Sequence, residues 1–152
     1  PLILRPSTDY HHAGQIAFPG GRHEGEELYP VETALRESRE ELGIESADIR
    51  VVGELTSLYV HVSRTIVTPV VAFGKAAPRF FPDRSEVAAY YSVPFSRFLQ
   101  EPLSGEFEST RGIISAPYYP TEAGRVWGAT AMILSEFADI ARFSSSLDKR
   151  TE

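Results

Sequence analysis

Three glutamates, Glu37, Glu40 and Glu41, stand at i, i+3 and i+4 spacings behind a glycine-rich stretch, Gly20-Gly21-Arg22-His23-Glu24-Gly25. At about 100° per residue around a helix, all three occupy one arc beside the stripe Val31, Ala34, Leu35, Ser38 and Leu42, which is the expected core-facing side. Like charges at i,i+4 cost an isolated helix roughly 0.2–0.5 kcal/mol per pair, and Arg36 and Arg39 lie off the arc, so they relieve only part of it. A hard divalent ion offsets such crowding. Mg²⁺ takes one or two carboxylates together with phosphate oxygens and water, which makes a cation–phosphate site the chemistry this spacing suits. The plain competitor is a solvated Glu/Arg surface helix with internal ion pairs, including Arg36 with Glu32 at i−4. The loop separates the two readings: closely spaced glycines let a backbone approach a ligand, and Gly43 is placed to end the helix.

These residues resemble the Nudix box, whose pattern is Gly, five residues, Glu, seven residues, then Arg-Glu-hydrophobic-any-Glu-Glu-any-Gly-hydrophobic. Gly21, Glu27, Arg36, Glu37, Glu40, Glu41, Gly43 and Ile44 fit it. Eight residues, Leu28 to Leu35, lie between Glu27 and Arg36, and Ser38 stands where a hydrophobic residue is usual. Upstream, the segment from His12 through Gly14, Gln15 and Phe18-Pro19-Gly20-Gly21 is similar to the signature of the coenzyme A diphosphatase branch, which also commonly carries the longer box. Leu2-Ile3-Leu4-Arg5-Pro6-Ser7 approximates the start of that signature, and Tyr10 occupies the position of its second Arg. Val67 to Val71, Ser85-Glu86-Val87 with Val93-Pro94, and Trp127 to Thr130 extend the likeness over most of the chain.

The resemblance implies a single α/β (α+β) domain over residues 1–152, a Nudix α/β/α sandwich with a mixed β-sheet between helices. It implies metal-dependent hydrolysis of a pyrophosphate, with coenzyme A or acyl-CoA as substrate and Mg²⁺ or Mn²⁺ as cofactor. Residue by residue, Glu37 and Glu41 would be the principal metal ligands, Glu40 a further ligand or a holder of metal-bound water, the Gly21 carbonyl a backbone ligand, and Arg36 the residue that orients the glutamates by ion pairing. Glu86 would reach the metal cluster or serve as general base; its ordinary alternative is an exposed surface glutamate. His12 and Gln15 either contact substrate phosphate or structure their turn. Without ligand spacing to a second cluster, His11 and His12 do not point to zinc. Tyr10, Tyr59, Tyr119 and Trp127 could stack an adenine, although aromatics at strand and helix-start positions more often serve the core. Two competing functions stay open: hydrolysis of another nucleoside diphosphate derivative such as ADP-ribose or NADH, and a ligand-binding module that kept the fold.

Composition fits this picture. The chain has 152 residues, 42% hydrophobic and 24% charged, with a net charge of −6. The acidic balance speaks against nucleic acid as a partner, no apolar run is long enough for a membrane span, and the absence of cysteine excludes disulfides and thiol catalysis. The expected partner is a small CoA-like nucleoside diphosphate, the expected compartment the cytoplasm, and a homodimer is compatible with these features.

The elements that must position the site follow from periodicity. Leu2 to Leu4 and Ile16 to Phe18 read as short strands, Val31 to Leu42 as the box helix, and Ile49 to Tyr59 and Thr65 to Phe73 as two long β-branched strands. Residues 74–84 read as irregular, Val87 to Val93 as a strand, Pro94-Phe95-Ser96 as the opening of a short helix through Leu99, and Gly112 to Tyr119 as a strand before a Pro120 to Gly124 turn. A final helix from Trp127 to about Phe143 carries Trp127, Ala131, Leu134, Phe137 or Ala138, and Ala141 on one side, and Ser144 to Glu152 reads as a tail.

Overall fold

A computed structural model describes residues 1–7, 14–75, 79–109 and 112–148. The chain forms two compact units, Pro1–Ser92 and Val93–Glu152. Among the described residues it is an α+β protein with several small sheets and two α-helices.

In the first unit, strand β1 (Leu2–Leu4) is central to a three-stranded antiparallel sheet between β2 (Ile16–Ala17) and β7 (Ala89–Tyr91). The box helix α1 covers Val31–Leu42, as its spacing predicts. Gly43 closes it in the left-handed region at φ 67°, and the Gly43 and Ile44 amides donate back to the Arg39 and Ser38 carbonyls at 2.8 and 3.2 Å. Only glycine takes that backbone at little cost, and a Cβ here would also lie 2.9 Å from Cβ of Phe81. Ile3, Leu42, Ile44 and Val87 form the core of the unit, packed by Ala17, Ile49 and Phe80.

The two long strands expected after the helix are each divided. The first becomes β3 (Ile49–Glu54) and β4 (Leu58–Val60), the second β5 (Thr65–Val67) and β6 (Val70–Gly74). Pro69 explains the break: it has no N–H for a ladder, and its carbonyl instead accepts from the Leu55 amide at 2.9 Å. β3 pairs with β6 through a bulge between Val51 and Gly53, and β4 with β5. Every strand pairing among the described residues is antiparallel. The four-residue connection 61–64 enforces this for β4 and β5, since parallel neighbours need a crossover of a dozen or more residues; the small sheets together with helices agree with the expected fold class.

The second unit contains a strand that sequence reading passed over, β8 (Leu103–Ser109), paired with β9 (Gly112–Thr121), which pairs in turn with β10 (Gly124–Trp127). The turn expected at Pro120 shrinks to Glu122-Ala123, braced by the Thr121 hydroxyl donating to the Gly124 carbonyl at 2.9 Å. Helix α2 runs Gly128–Asp148. Trp127 therefore belongs to the sheet, opposite Tyr118, and Gly128 at φ 64° turns the chain from strand to helix. The segment expected as a tail is helical through Asp148, and the Ser145 hydroxyl is satisfied by the Ala141 carbonyl at 2.9 Å. Ala131, Leu134 and Ala138 are buried on the expected stripe. Tyr119 is core against Phe98, and Trp127 stacks on Phe107 at 4.4 Å, whereas Tyr59 is 51% exposed.

Candidate functional site

The buried side of α1 differs from the expected apolar stripe. Its buried residues are Thr33, Glu37, Glu41 and Leu42, so three of the four are polar and recur every fourth position. The preceding loop folds back over this stripe. The Gly20 amide donates to Oε2 of Glu41 at 2.9 Å, and Gly21 abuts Glu37 so closely that an added Cβ would sit 2.1 Å from Oε1. Here the need for glycine is spatial, since the carboxylate fills the place of a side chain.

Glu86 completes the cluster. The segment before it docks on the end of α1: the Phe81 amide donates to the Leu42 carbonyl at 2.8 Å and the Asp83 amide to the Glu41 carbonyl at 3.0 Å. As a result one carboxylate oxygen each from Glu37, Glu41 and Glu86 lies within 4.8 Å of the others, two of the residues buried and Glu86 exposed.

Electrostatics separates the members. Burial raises the Glu41 pKa to about 7 against the Gly20 hydrogen bond and Arg5, which favour the charged form; Glu37 and Glu86 add to the rise. Glu37 is raised for the same first reason, desolvation, and Arg36 opposes it. Two buried carboxylates that resist ionisation, joined by a third on the open side, make an all-oxygen donor set that a hard divalent cation fits. Glu40 is placed apart: its side chain is 44% exposed and accepts from Nη1 of Arg36 at 2.7 Å.

Arg36 is the hub of the loop. Nε donates to Oε1 of Glu27 at 2.5 Å, Nη1 also to Oε1 of Glu37 at 2.9 Å, and Nη2 to the Arg22 carbonyl at 2.8 Å. The Arg36 hydrogen bond, then that of Thr33, brings Glu27 down to about 2. Glu32, the alternative partner of Arg36, instead accepts from the Leu28 amide, ahead of the helix, at 2.7 Å. Thr33, which sequence reading placed on no functional list, donates to Oε2 of Glu27 at 2.8 Å; its i−4 relation to Glu37 is the signal that could have found it. Gln15 is half-buried and its carbonyl accepts from the Arg5 amide at 3.0 Å, closing the connection between β1 and β2. His12, like Tyr10 and His11, lies outside the described residues.

Gly21→Ala tests the close approach. The obstacle is the far end of a side chain and not backbone, so the protein should still fold, with a melting temperature lowered by the disturbed Arg36–Glu37 bond. The displaced Glu37 carboxylate should lower turnover about 100-fold, the scale of an ~1 Å misplacement; unchanged turnover would show that Glu37 needs no fixed position.

No helix among the described residues is long and apolar enough to cross a membrane. The NUDIX domain model matches residues 2–113. The chain is 38% identical over 142 residues to a protein of Pectobacterium atrosepticum named "Uncharacterized Nudix hydrolase NudL", an alignment covering 90% of this chain and 72% of that one. Proteins of the same name from Yersinia enterocolitica and Yersinia pestis (strain Pestoides F) are each 33% identical over 141 residues, covering 90% of this chain and 72% and 70% of theirs. With the glutamate cluster, the glycine turn and the Arg36 hub in place, these matches show that the chain belongs to the Nudix hydrolase family.

Proposed function

We propose that this enzyme hydrolyses the pyrophosphate bond of coenzyme A or acyl-CoA, giving 3′,5′-ADP and 4′-phosphopantetheine or its acylated form, with Mg²⁺ or Mn²⁺ held by Glu37, Glu41 and Glu86. The observation that carries the hydrolytic part is the convergence of those three carboxylates beside the Gly20-Gly21 turn. The substrate rests on the Gly14-Gln15 and Phe18-Pro19-Gly20-Gly21 segment and its likeness to the CoA diphosphatase branch.

A bound divalent ion supplies charge neutralisation at the non-bridging phosphate oxygens and an acidified water. The chain's own residues do the positioning. Gly20 and Gly21 bring backbone up to the carboxylates and leave the space beside Glu37 free of a side chain. Arg36 fixes Glu37 and Glu40 relative to the loop through one nitrogen shared between them. In the reaction, the oxygen of water bonds to one phosphorus, the bridging P–O bond breaks, and the bridging oxygen leaves on the other phosphate. The proton lost by the water passes to a carboxylate, and Glu86, exposed on the open side of the cluster, is the one we assign to it. Glu40 serves as a second holder of water at the rim, and His12 and Gln15 as contacts to the substrate.

Tyr10, where that branch has Arg, favours a second reading in which ADP-ribose or NADH is the substrate. Incubation with CoA, acetyl-CoA, ADP-ribose and NADH in Mg²⁺ or Mn²⁺, with chromatography of the products, separates the two. Release of 3′,5′-ADP is expected; intact CoA alongside cleaved ADP-ribose or NADH would replace the first reading by the second.

A further inference from the structure

We propose that Asp83 is a positioning residue that aims the Glu86 carboxylate at Glu37 and Glu41; this rests on reading the three glutamates as the cation-binding cluster. Glu86 is exposed, so packing of its own side chain does not hold it. What holds it is the turn it sits on.

Asp83 is joined to that turn in three ways. Its amide donates to the carbonyl of Glu41 at 3.0 Å, fixing the register of the segment against a residue of the cluster. Its carbonyl accepts from the amides of Glu86 at 3.1 Å and Val87 at 2.8 Å, closing one turn with Glu86 on it. Its side-chain Oδ1 accepts from the Ser85 amide at 2.8 Å and the Ser85 hydroxyl at 2.7 Å, which satisfies the donor facing into the turn. Val87, next after Glu86, is 2% exposed and packs in the core with Leu42. Glu86 is thus suspended between two fixed points, one polar and one apolar. Removing the side-chain part of the polar one loosens the turn while its backbone bonds remain, because a short segment without its side-chain-to-backbone hydrogen bonds has more conformations of similar energy.

The core anchor does not depend on Asp83, and Asp83 is exposed, so substitution there leaves the fold intact while loosening Glu86. Outer residues that orient ligands typically account for about 10- to 100-fold in ion affinity.

Mn²⁺ binding measured by calorimetry on the whole chain tests this without any substrate, using the wild type, Asp83→Ala, Asp83→Asn, Glu86→Gln and the Asp83→Ala/Glu86→Gln pair. Asp83→Ala should weaken binding about tenfold. Asp83→Asn, which keeps an acceptor oxygen at the same place, should stay within about twofold of wild type. The pair should bind no more weakly than Glu86→Gln alone, since Asp83 acts through Glu86. Ser85→Ala, which deletes only the hydroxyl donor, should give the same direction at smaller amplitude. Wild-type affinity in Asp83→Ala, no loss in Glu86→Gln, equal losses in Asp83→Ala and Asp83→Asn, or losses that multiply in the pair would each overturn the proposal. A wild type that binds Mn²⁺ in this pattern and leaves CoA intact would remove the substrate assignment and leave the role of Asp83 standing; a wild type that binds no Mn²⁺ would remove both.

Discussion

Glu41→Gln is expected to lower turnover about 1,000-fold and, in the presence of a chelator at pH 8, to raise the melting temperature. On the proposed cation-binding role of Glu41, the activity loss follows from removing a ligand of an ion whose charge stabilisation is worth several kcal/mol, at about 1.36 kcal/mol per tenfold. The stability gain follows from burial. Glu41 is 3% exposed, and desolvation carries its pKa from 4.5 up to about 7 despite the Gly20 hydrogen bond and Arg5. A carboxyl whose pKa is higher folded than unfolded binds more protons in the folded state between those values, so stability falls as pH rises through that window. Well below pH 4.5 both states are protonated and nothing is lost; above about 7 the full cost is present, on the order of 3 kcal/mol. Glutamine carries no charge to desolvate, and its amide oxygen can still accept from Gly20. The expected gain at pH 8 is about 8 °C, shrinking toward zero near pH 5.

Saturating Mn²⁺ should reverse the slope for the wild type. An ion held as proposed binds the folded state and requires deprotonated ligands, so its stabilisation grows with pH. Melting curves from pH 5 to 8, with chelator and with Mn²⁺, therefore converge near pH 5 and diverge toward pH 8 for the wild type, and stay together for Glu41→Gln. A variant that melts lower than wild type in chelator at pH 8 would mean that Glu41 is held as a structural acceptor, with the ionised form no burden to the fold.

How far the sequence discloses this site depends on which forces act locally. The helix Val31–Leu42, its Gly43 stop and the cluster of Glu37 with Glu41 are legible because periodicity and glycine chemistry are short-range. The identity of the buried face was not. An amphipathic reading puts Val31, Ala34 and Leu35 inside, yet Thr33, Glu37 and Glu41 are the more buried residues. A stripe of carboxylates can lie inward only because the Gly20-Gly21 backbone covers it, and that return of the chain is invisible to a helical wheel. Likewise the placing of Glu86 depends on hydrogen bonds between residues some forty positions apart, such as the Asp83 amide to the Glu41 carbonyl. Glu40 shows the reverse: its spacing groups it with the others, and three residues of rotation are enough to put it at the rim with Arg36. Strand β8 escaped because Gly105 lowers strand propensity in Leu103–Ser109, although its place opposite Ala116 requires glycine, a Cβ there lying 2.9 Å from the Tyr118 ring. The divided strands follow from the missing amide of Pro69, a local signal that the run of β-branched residues around it masks.

Arg36→Lys, conservative in charge, is expected to behave as a severe lesion. The guanidinium meets four acceptors, Glu27, Glu37, Glu40 and the Arg22 carbonyl, from three nitrogens held in one plane. An ammonium offers one nitrogen and no fork, so it can serve one or two of these directions and must release the others. The released groups include Glu37, whose neighbouring positive charge is what opposes its desolvation. Turnover should therefore fall about 100-fold in Arg36→Lys, the upper range for residues that orient metal ligands, and further in Arg36→Met, which removes the charge altogether. Arg36→Met should also cost roughly 2 kcal/mol of stability, between the values for exposed and for buried ion pairs, because the Arg36 side chain is 18% exposed. A second signature comes from Glu27. With Arg36 present its pKa sits at about 2, so its stabilising contribution is present above the ordinary carboxylate range and is lost only as pH falls toward 2. In Arg36→Met that pKa returns upward, and acid unfolding should begin at a higher pH than in the wild type. Were Arg36→Lys to keep full turnover, the fork geometry would be irrelevant and only the positive charge would matter; were the acid limb unmoved in Arg36→Met, Glu27 would owe its low pKa to Thr33 instead.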